Sequence, residues 1–299
     1  MEKKTFSRLG FALAAMALST LASQVLVSNL AAMLAPALRT AGWFGIASTA
    51  LFYAVGVPVF ALLIRRIPDG PALERQPVKA GAVFVFYFIC MGGMYIFNYV
   101  GLGVTSLLSL LLGRTVGNPL ASVLSGPGLW ATVLFVGILS PIFEELAFRK
   151  LLLNKLRPFG DKTAMWFSAL AFGLFHMNFS QFFYATAVGL VLAYAALKTG
   201  NIKLSVLLHV LVNFTGSVLP TLVMQTGSTI LTVMVAAYMF LCIGLAILFL
   251  CVFWRKIHLN PAPCRFSAPL RGRLVYANRG MFAYYLVAGA MFALNTLLV

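Results

Sequence analysis

Residues 229–254 read TILTVMVAAYMFLCIGLAILFLCVFW, an unbroken run without a charged residue. A spanning helix needs roughly 20 mostly apolar residues. A helix apolar on every side has no face to turn toward water. Comparable stretches recur at about 9–34, 43–64, 80–104, 128–156, 163–179, 181–198, 202–219 and 280–298. The expected fold is therefore all-α, a polytopic transmembrane helix bundle of about eight or nine spans around an intramembrane polar cavity. The runs are too long for the short alternating strands of a membrane barrel. The composition agrees: 62% of the 299 residues are hydrophobic and 9% charged, against about half and about a quarter in an ordinary soluble chain.

The net charge of +16 raises the question of nucleic acid. The cations cluster between the apolar stretches instead, as basic loops on the cytoplasmic side of a membrane do. Lys3, Lys4 and Arg8 precede the first span, and Arg65, Arg66, Arg75 and Lys79 separate the second from the third. Lys150, Lys155, Arg157 and Lys162 surround the fourth turn, and Lys198 and Lys203 flank the sixth span. Arg255, Lys256, Arg265, Arg271, Arg273 and Arg279 precede the last. With nine spans and a cytoplasmic N-terminus, these groups share one side, while Arg39 and Arg114 fall on the other. The expected partners are membrane lipid and a peptide or protein, with no nucleic acid. The expected location is a bacterial plasma membrane.

Residues 1–299 read as a single membrane domain: N-terminal spans and an external connection over 9–127, a central core over 128–219, and C-terminal spans over 220–299. Within the connection, Ser106 to Leu112 suits a segment lying flat on the membrane. The proline-containing basic segment 255–279 suits a loop near anionic lipid. Cys90, Cys242, Cys251 and Cys264 have no metal-ligand spacing and read as free thiols. Asn178-Phe-Ser and Asn213-Phe-Thr match a glycosylation pattern but sit in or near spans, and are read as chance matches.

Six acidic residues and three histidines occur in the chain. Glu144, Glu145, His176 and His209 fall inside apolar stretches, where ionisable groups are costly and mark functional sites. At a rise of about 1.5 Å per residue, Glu144 lies roughly 20 Å above Arg157, and His176 roughly 21 Å above Lys162. Antiparallel neighbours would bring them level. From the turn at Gly200-Asn201, His209 rises roughly 12 Å and Asn213 roughly 18 Å. Adjacent residues on a helix diverge by about 100°, so Glu144 and Glu145 point different ways. Glu145 and Arg149, four apart, share a face and can pair. Glu144 then has no partner on its own helix and is free to act as a base. His209 and Asn213, also four apart, offer donors suited to a developing oxyanion. Phe172 and His176 repeat that spacing.

At these residues the sequence resembles the CAAX protease and bacteriocin-processing family (CPBP, also called Abi), which includes the type II CAAX prenyl endopeptidases. Glu144-Glu145-Leu146-Ala147-Phe148-Arg149 matches its E-E-x-x-x-R motif, Phe172-Gly173-Leu174-Phe175-His176 its F-x-x-x-H, and His209-Val210-Leu211-Val212-Asn213 its H-x-x-x-N. The resemblance covers about residues 128–219. It implies an intramembrane endopeptidase in which Glu144 activates a water and His176 helps to hold it. It further implies that His209 and Asn213 stabilise the oxyanion and that Glu145 and Arg149 form a supporting pair, with Phe172 beside them. No cofactor is expected. Two alternatives stand beside this reading. One is a zinc metallopeptidase with Glu144, His176 and His209 as ligands. The other is a non-catalytic proton-coupled transporter or bacteriocin-immunity protein.

Overall fold

A computed structural model describes residues 2–37, 44–118, 130, 133–261 and 268–298. Arg39, Cys264 and residues 119–129 of the expected external connection lie outside the described residues. Among the described residues all regular structure is helical. Three long helices come first: α1 (Glu2–Leu34), α2 (Phe44–Ile64) and α3 (Ala80–Leu112). The fourth, α4, is composite. Its segments are π-helical at Val133–Leu139, α-helical at Ser140–Glu145, π-helical again at Leu146–Leu152 and α-helical at Leu153–Leu156. After a tight turn at Arg157–Phe159 come α5 (Asp161–Phe175) and α6 (Phe179–Thr199). Helix α7 starts as Ile202–Asn213, widens at Phe214–Val218 and resumes as Leu219–Thr226. The chain ends with α8 (Thr229–Phe253), α9 (Ala268–Tyr276) and α10 (Arg279–Leu298).

Seven of these helices are long and apolar enough to cross a membrane: α1, α2, α3, α6, α7, α8 and α10. The expectation of eight or nine differs at α4 and α5. In α4 the apolar run is cut by Glu144, Glu145 and Arg149 and divided into short segments. Helix α5 has 15 residues, or about 22 Å, against a hydrocarbon layer of about 30 Å. Two readings are corrected. Ser106 to Leu112 is not a separate surface segment but the last two turns of α3, which stops where Gly113 takes the left-handed conformation at φ 65°. The basic segment 255–279 contains the short helix α9 rather than loop alone.

The outward faces fit lipid. Helix α8 buries Cys242 and Ala246 while Ile230, Val233, Phe240, Leu241, Ile247, Leu248 and Val252 are exposed. A surface of that kind in water would associate or aggregate. Helix contacts inside the bundle use small residues, which let backbones approach. A Cβ on Gly92 of α3 would lie 2.3 Å from the Ala246 Cβ of α8.

Two of the three wide segments precede a proline. Pro141 follows Val133–Leu139, and Pro220 follows Phe214–Val218. Proline has no N–H for the carbonyl four residues back, and its ring crowds that carbonyl. In each case that position is a glycine, Gly137 or Gly216. The helix answers by widening, and the two wide turns pack against each other.

The apolar interior forms two clusters. One joins α1, α2, α4, α5, α6, α9 and α10, and the other α3, α6, α7 and α8. Helix α5 is braced by two hydroxyls: Ser168 Oγ donates to the Phe148 carbonyl at 2.9 Å, and Tyr284 of α10 to the Ala171 carbonyl at 2.7 Å. The chain's ends meet at Gly10 and Gly280. A Cβ on Gly280 would fall 1.7 Å from the Ser7 carbonyl oxygen. Backbone cannot yield as a side-chain tip can. Gly280→Leu is therefore expected to separate α1 from α10 and lower stability by about 1–3 kcal/mol, read as a reduced thermal midpoint in detergent. An unchanged midpoint would contradict this crossing.

Candidate functional site

The two adjacent glutamates part company within one residue. Glu145 turns into the protein, fully buried, and its Oε2 lies 3.2 Å from Arg149 Nε. The four-residue spacing thus brings the pair together even though Leu146–Leu152 is wider than an α-helix. Among the described residues, Arg149 Nε and Nη1 and Glu145 Oε2 have no aligned hydrogen-bond partner. The contact is a charge pair, supplemented on the other side of the guanidinium. There Arg149 Nη2 donates to the Gly189 carbonyl of α6 at 3.4 Å, and the guanidinium carbon stands 4.5 Å from the centre of the Phe172 ring.

Glu144 instead faces a cavity of about 310 Å³ where the two apolar clusters meet. His176, His209, Asn213 and Phe172 line the same cavity. All four residues assigned catalytic roles by the motifs therefore border one space, although they come from α4, α5 and α7. Glu145 and Arg149 sit behind it.

His209 bridges the two carboxylates. Its Nδ1 is 2.9 Å from Glu145 Oε1, and its Nε2 is 3.6 Å from Glu144 Oε2. A ring held at Nδ1 by a carboxylate has its other nitrogen aimed. His176 is oriented by its own helix: its Nδ1 lies 2.9 Å from the Phe172 carbonyl oxygen. A carbonyl only accepts, so Nδ1 carries a proton. In the neutral ring Nε2 is then left as an acceptor. The Phe172 ring makes perpendicular contacts with both histidines, at 4.9 Å to His176 and 5.6 Å to His209. Asn213 Nδ2 donates to the Val136 carbonyl at 3.0 Å, tying α7 to the wide turn of α4.

The turn that ends α5 is held under constraint. Met177, directly after His176, takes φ 57°, a left-handed conformation uncommon outside glycine. Neighbouring amides hold it in place. Asn178 Nδ2 donates to the His176 carbonyl at 2.7 Å, its Oδ1 accepts from the Gln181 N–H at 2.9 Å, and Asn295 of α10 donates to the Met177 carbonyl at 2.8 Å. Asn178, read from the sequence only as a chance glycosylation match, is the N-cap of α6.

The sequence reading missed Tyr53. Its hydroxyl donates to Glu144 Oε1 at 2.6 Å, and its ring stacks on Phe143 with centres 5.3 Å apart. Glu144 has no partner on its own helix, as expected, but it does have one on α2. With 10 tyrosines in the chain and no spacing that ties α2 to α4, no sequence signal singles this one out.

The zinc alternative requires Glu144, His176 and His209 to present donors to one point. His209 turns Nδ1 to Glu145 and Nε2 to Glu144. Among the described residues no group of three or more His, Cys, Asp or Glu side chains is arranged to hold a metal. Cys90, Cys242 and Cys251 are free thiols.

Deleting one member of a buried ion pair strands the other, at about 3–5 kcal/mol. Arg149→Met is thus expected to lower the thermal midpoint strongly, and Glu145→Gln combined with Arg149→Met to lower it less. A double variant that sums both single losses would contradict the pairing.

Comparison with known proteins adds one finding. Neither the curated proteins nor the solved structures contain a match. A family model described as Type II CAAX prenyl endopeptidase Rce1-like matches residues 126–215. That segment runs from before α4 through Asn213 and contains all three motifs. The match supports a CAAX-type protease acting on a peptide or protein, in a chain whose long apolar helices suit an integral membrane protein. Residues 126–215, which bring Glu144, His176, His209 and Asn213 to one cavity, are thus similar to the Rce1-like type II CAAX prenyl endopeptidases.

Proposed function

We propose that the protein is a glutamate-dependent intramembrane endopeptidase, with Glu144 activating the water that attacks a peptide carbonyl. The observation that carries this reading is the division of the glutamates. Glu145 is committed to Arg149 and His209, whereas Glu144 borders the cavity. In the proposed reaction a water lies between Glu144 and His176, whose Nε2 accepts one of its hydrogens. Glu144 takes the proton as the water oxygen bonds to the carbonyl carbon. One carboxylate oxygen and an acceptor nitrogen orient the water before attack, which lowers the barrier through positioning.

The carbonyl oxygen then gains charge. With a proton on each ring nitrogen, His209 donates through Nδ1 to Glu145 and through Nε2 to this oxygen, and the Asn213 amide supplies a second hydrogen bond. Collapse of the tetrahedral intermediate breaks the C–N bond, and the proton held by Glu144 passes to the departing nitrogen. Arg149 and Phe172 act on this chemistry through the groups they hold. The basic clusters support a cytoplasmic N-terminus, and a bacterial plasma membrane is the proposed location.

The test compares cells carrying the native protein with cells carrying Glu144→Gln at matched expression. One precursor peptide is expected to accumulate as its cleaved product disappears. Asn213→Ala is expected to slow cleavage about 100–1,000-fold, the usual effect of losing an oxyanion donor. Treatment of the purified protein with a chelator is expected to leave the rate unchanged. Full cleavage by Glu144→Gln would overturn the proposal. Activity lost to the chelator and restored by zinc would replace it with the metallopeptidase alternative.

A further inference from the structure

We infer that Tyr53 is a positioning residue for Glu144: it fixes the carboxylate so that one oxygen remains turned to the cavity. This inference rests on the peptidase reading above and extends it to the N-terminal helices, outside residues 126–215.

A glutamate side chain has three rotatable bonds, and a base that wanders loses its near-attack geometry. Glu145 is held by a cation, but that cation is Arg149, already shared with Gly189 and Phe172. His209 Nε2 at 3.6 Å from Glu144 Oε2 is beyond good hydrogen-bond range. The Tyr53 hydroxyl at 2.6 Å from Oε1 is within the range of hydroxyl-to-carboxylate bonds. It therefore supplies the orientation that His209 does not. With Oε1 taken, Oε2 is the oxygen left for a water proton.

Tyr53 is itself held on two sides. Its ring lies almost parallel to Phe143, with 4° between the planes, so the residue before the base also carries the tyrosine that orients the base. Ser140, one turn before Glu144, lines the same cavity wall as Tyr53 and Glu144. Behind Tyr53, α2 is seated on α1 at Gly56, where a Cβ would come 2.3 Å from Thr20 Oγ1. That close approach sets the height of α2, and hence of the hydroxyl, against α4. The cavity wall on this side consists of Thr20 and Gln24 from α1 and Thr49, Phe52 and Tyr53 from α2.

Tyr53→Phe keeps the ring on Phe143 and removes only the hydroxyl. Two measurements test it on full-length protein in membranes, with Glu144→Gln alongside. In infrared difference spectra, native minus Tyr53→Phe is expected to show a displaced carboxylate band that is absent when both proteins also carry Glu144→Gln. In peptide cleavage, kcat is expected to fall about tenfold to hundredfold with KM within about twofold. A missing carboxylate band would overturn the inference, as would an unchanged kcat in the presence of that band. In both cases an inactive Glu144→Gln would leave the peptidase reading standing. Cleavage by Glu144→Gln would instead remove that reading and the inference with it.

Discussion

A buried ion pair, Glu145 with Arg149, is the constraint from which the rest of the site follows. Two charges taken out of water cost several kcal/mol each before their attraction offsets the loss. This pair is sustained by a surround that serves both members. His209 stands 2.9 Å from Glu145, while Gly189 and Phe172 meet the guanidinium. Because consecutive residues on a helix diverge, binding Glu145 inward turns Glu144 the other way, to the cavity. The pair therefore sets the direction of the other glutamate, and its carboxylate also fixes the ring of His209. A single coulombic contact orders groups on α4, α5 and α7.

The fold around it makes room by bending rules of regular helices. Pro141 and Pro220 each follow a wide turn with glycine at the crowded position, and the two wide turns pack together beside Asn213 and Val136. Helix α5 is too short to cross a membrane alone. It ends at His176, where Met177 is held left-handed by amides from Asn178 and Asn295. Small residues let α5 and α6 close on the ring that separates the two histidines. A Cβ on Gly189 would lie 3.0 Å from Phe172, and one on Gly173 would lie 2.0 Å from Thr186 Oγ1. The irregular backbone is concentrated where the polar groups converge, which is where stored strain is usually found.

The legible part of this protein was local. Runs of apolar residues announced α1, α2, α6, α8 and α10, because length and composition are enough for a helix in lipid. The four-residue interval between Glu145 and Arg149 announced their contact. The interval from His209 to Asn213 placed both on the cavity wall. What spacing could not reveal was anything between helices distant in sequence. The Tyr53 bond to Glu144 spans 91 positions. The position of His209 between both carboxylates depends on how α7 meets α4. Helix α3 was underestimated because Ser106 to Leu112 is as compatible with an interfacial segment as with two more turns. At α4 and α5 length and composition alone do not identify a span, because charged groups and short helices depart from the rule that identifies the others.

The central claim is that Glu144 acts through a water and does not itself attack the carbonyl. A single turnover of purified protein in water carrying heavy oxygen, with protein in excess over a peptide it cleaves, separates the two. The account predicts heavy oxygen in the new carboxyl group of the product and none in the protein fragment containing Glu144. Heavy oxygen recovered in Glu144, beside unlabelled product, would show that the carboxylate had bonded to the substrate and would contradict the account.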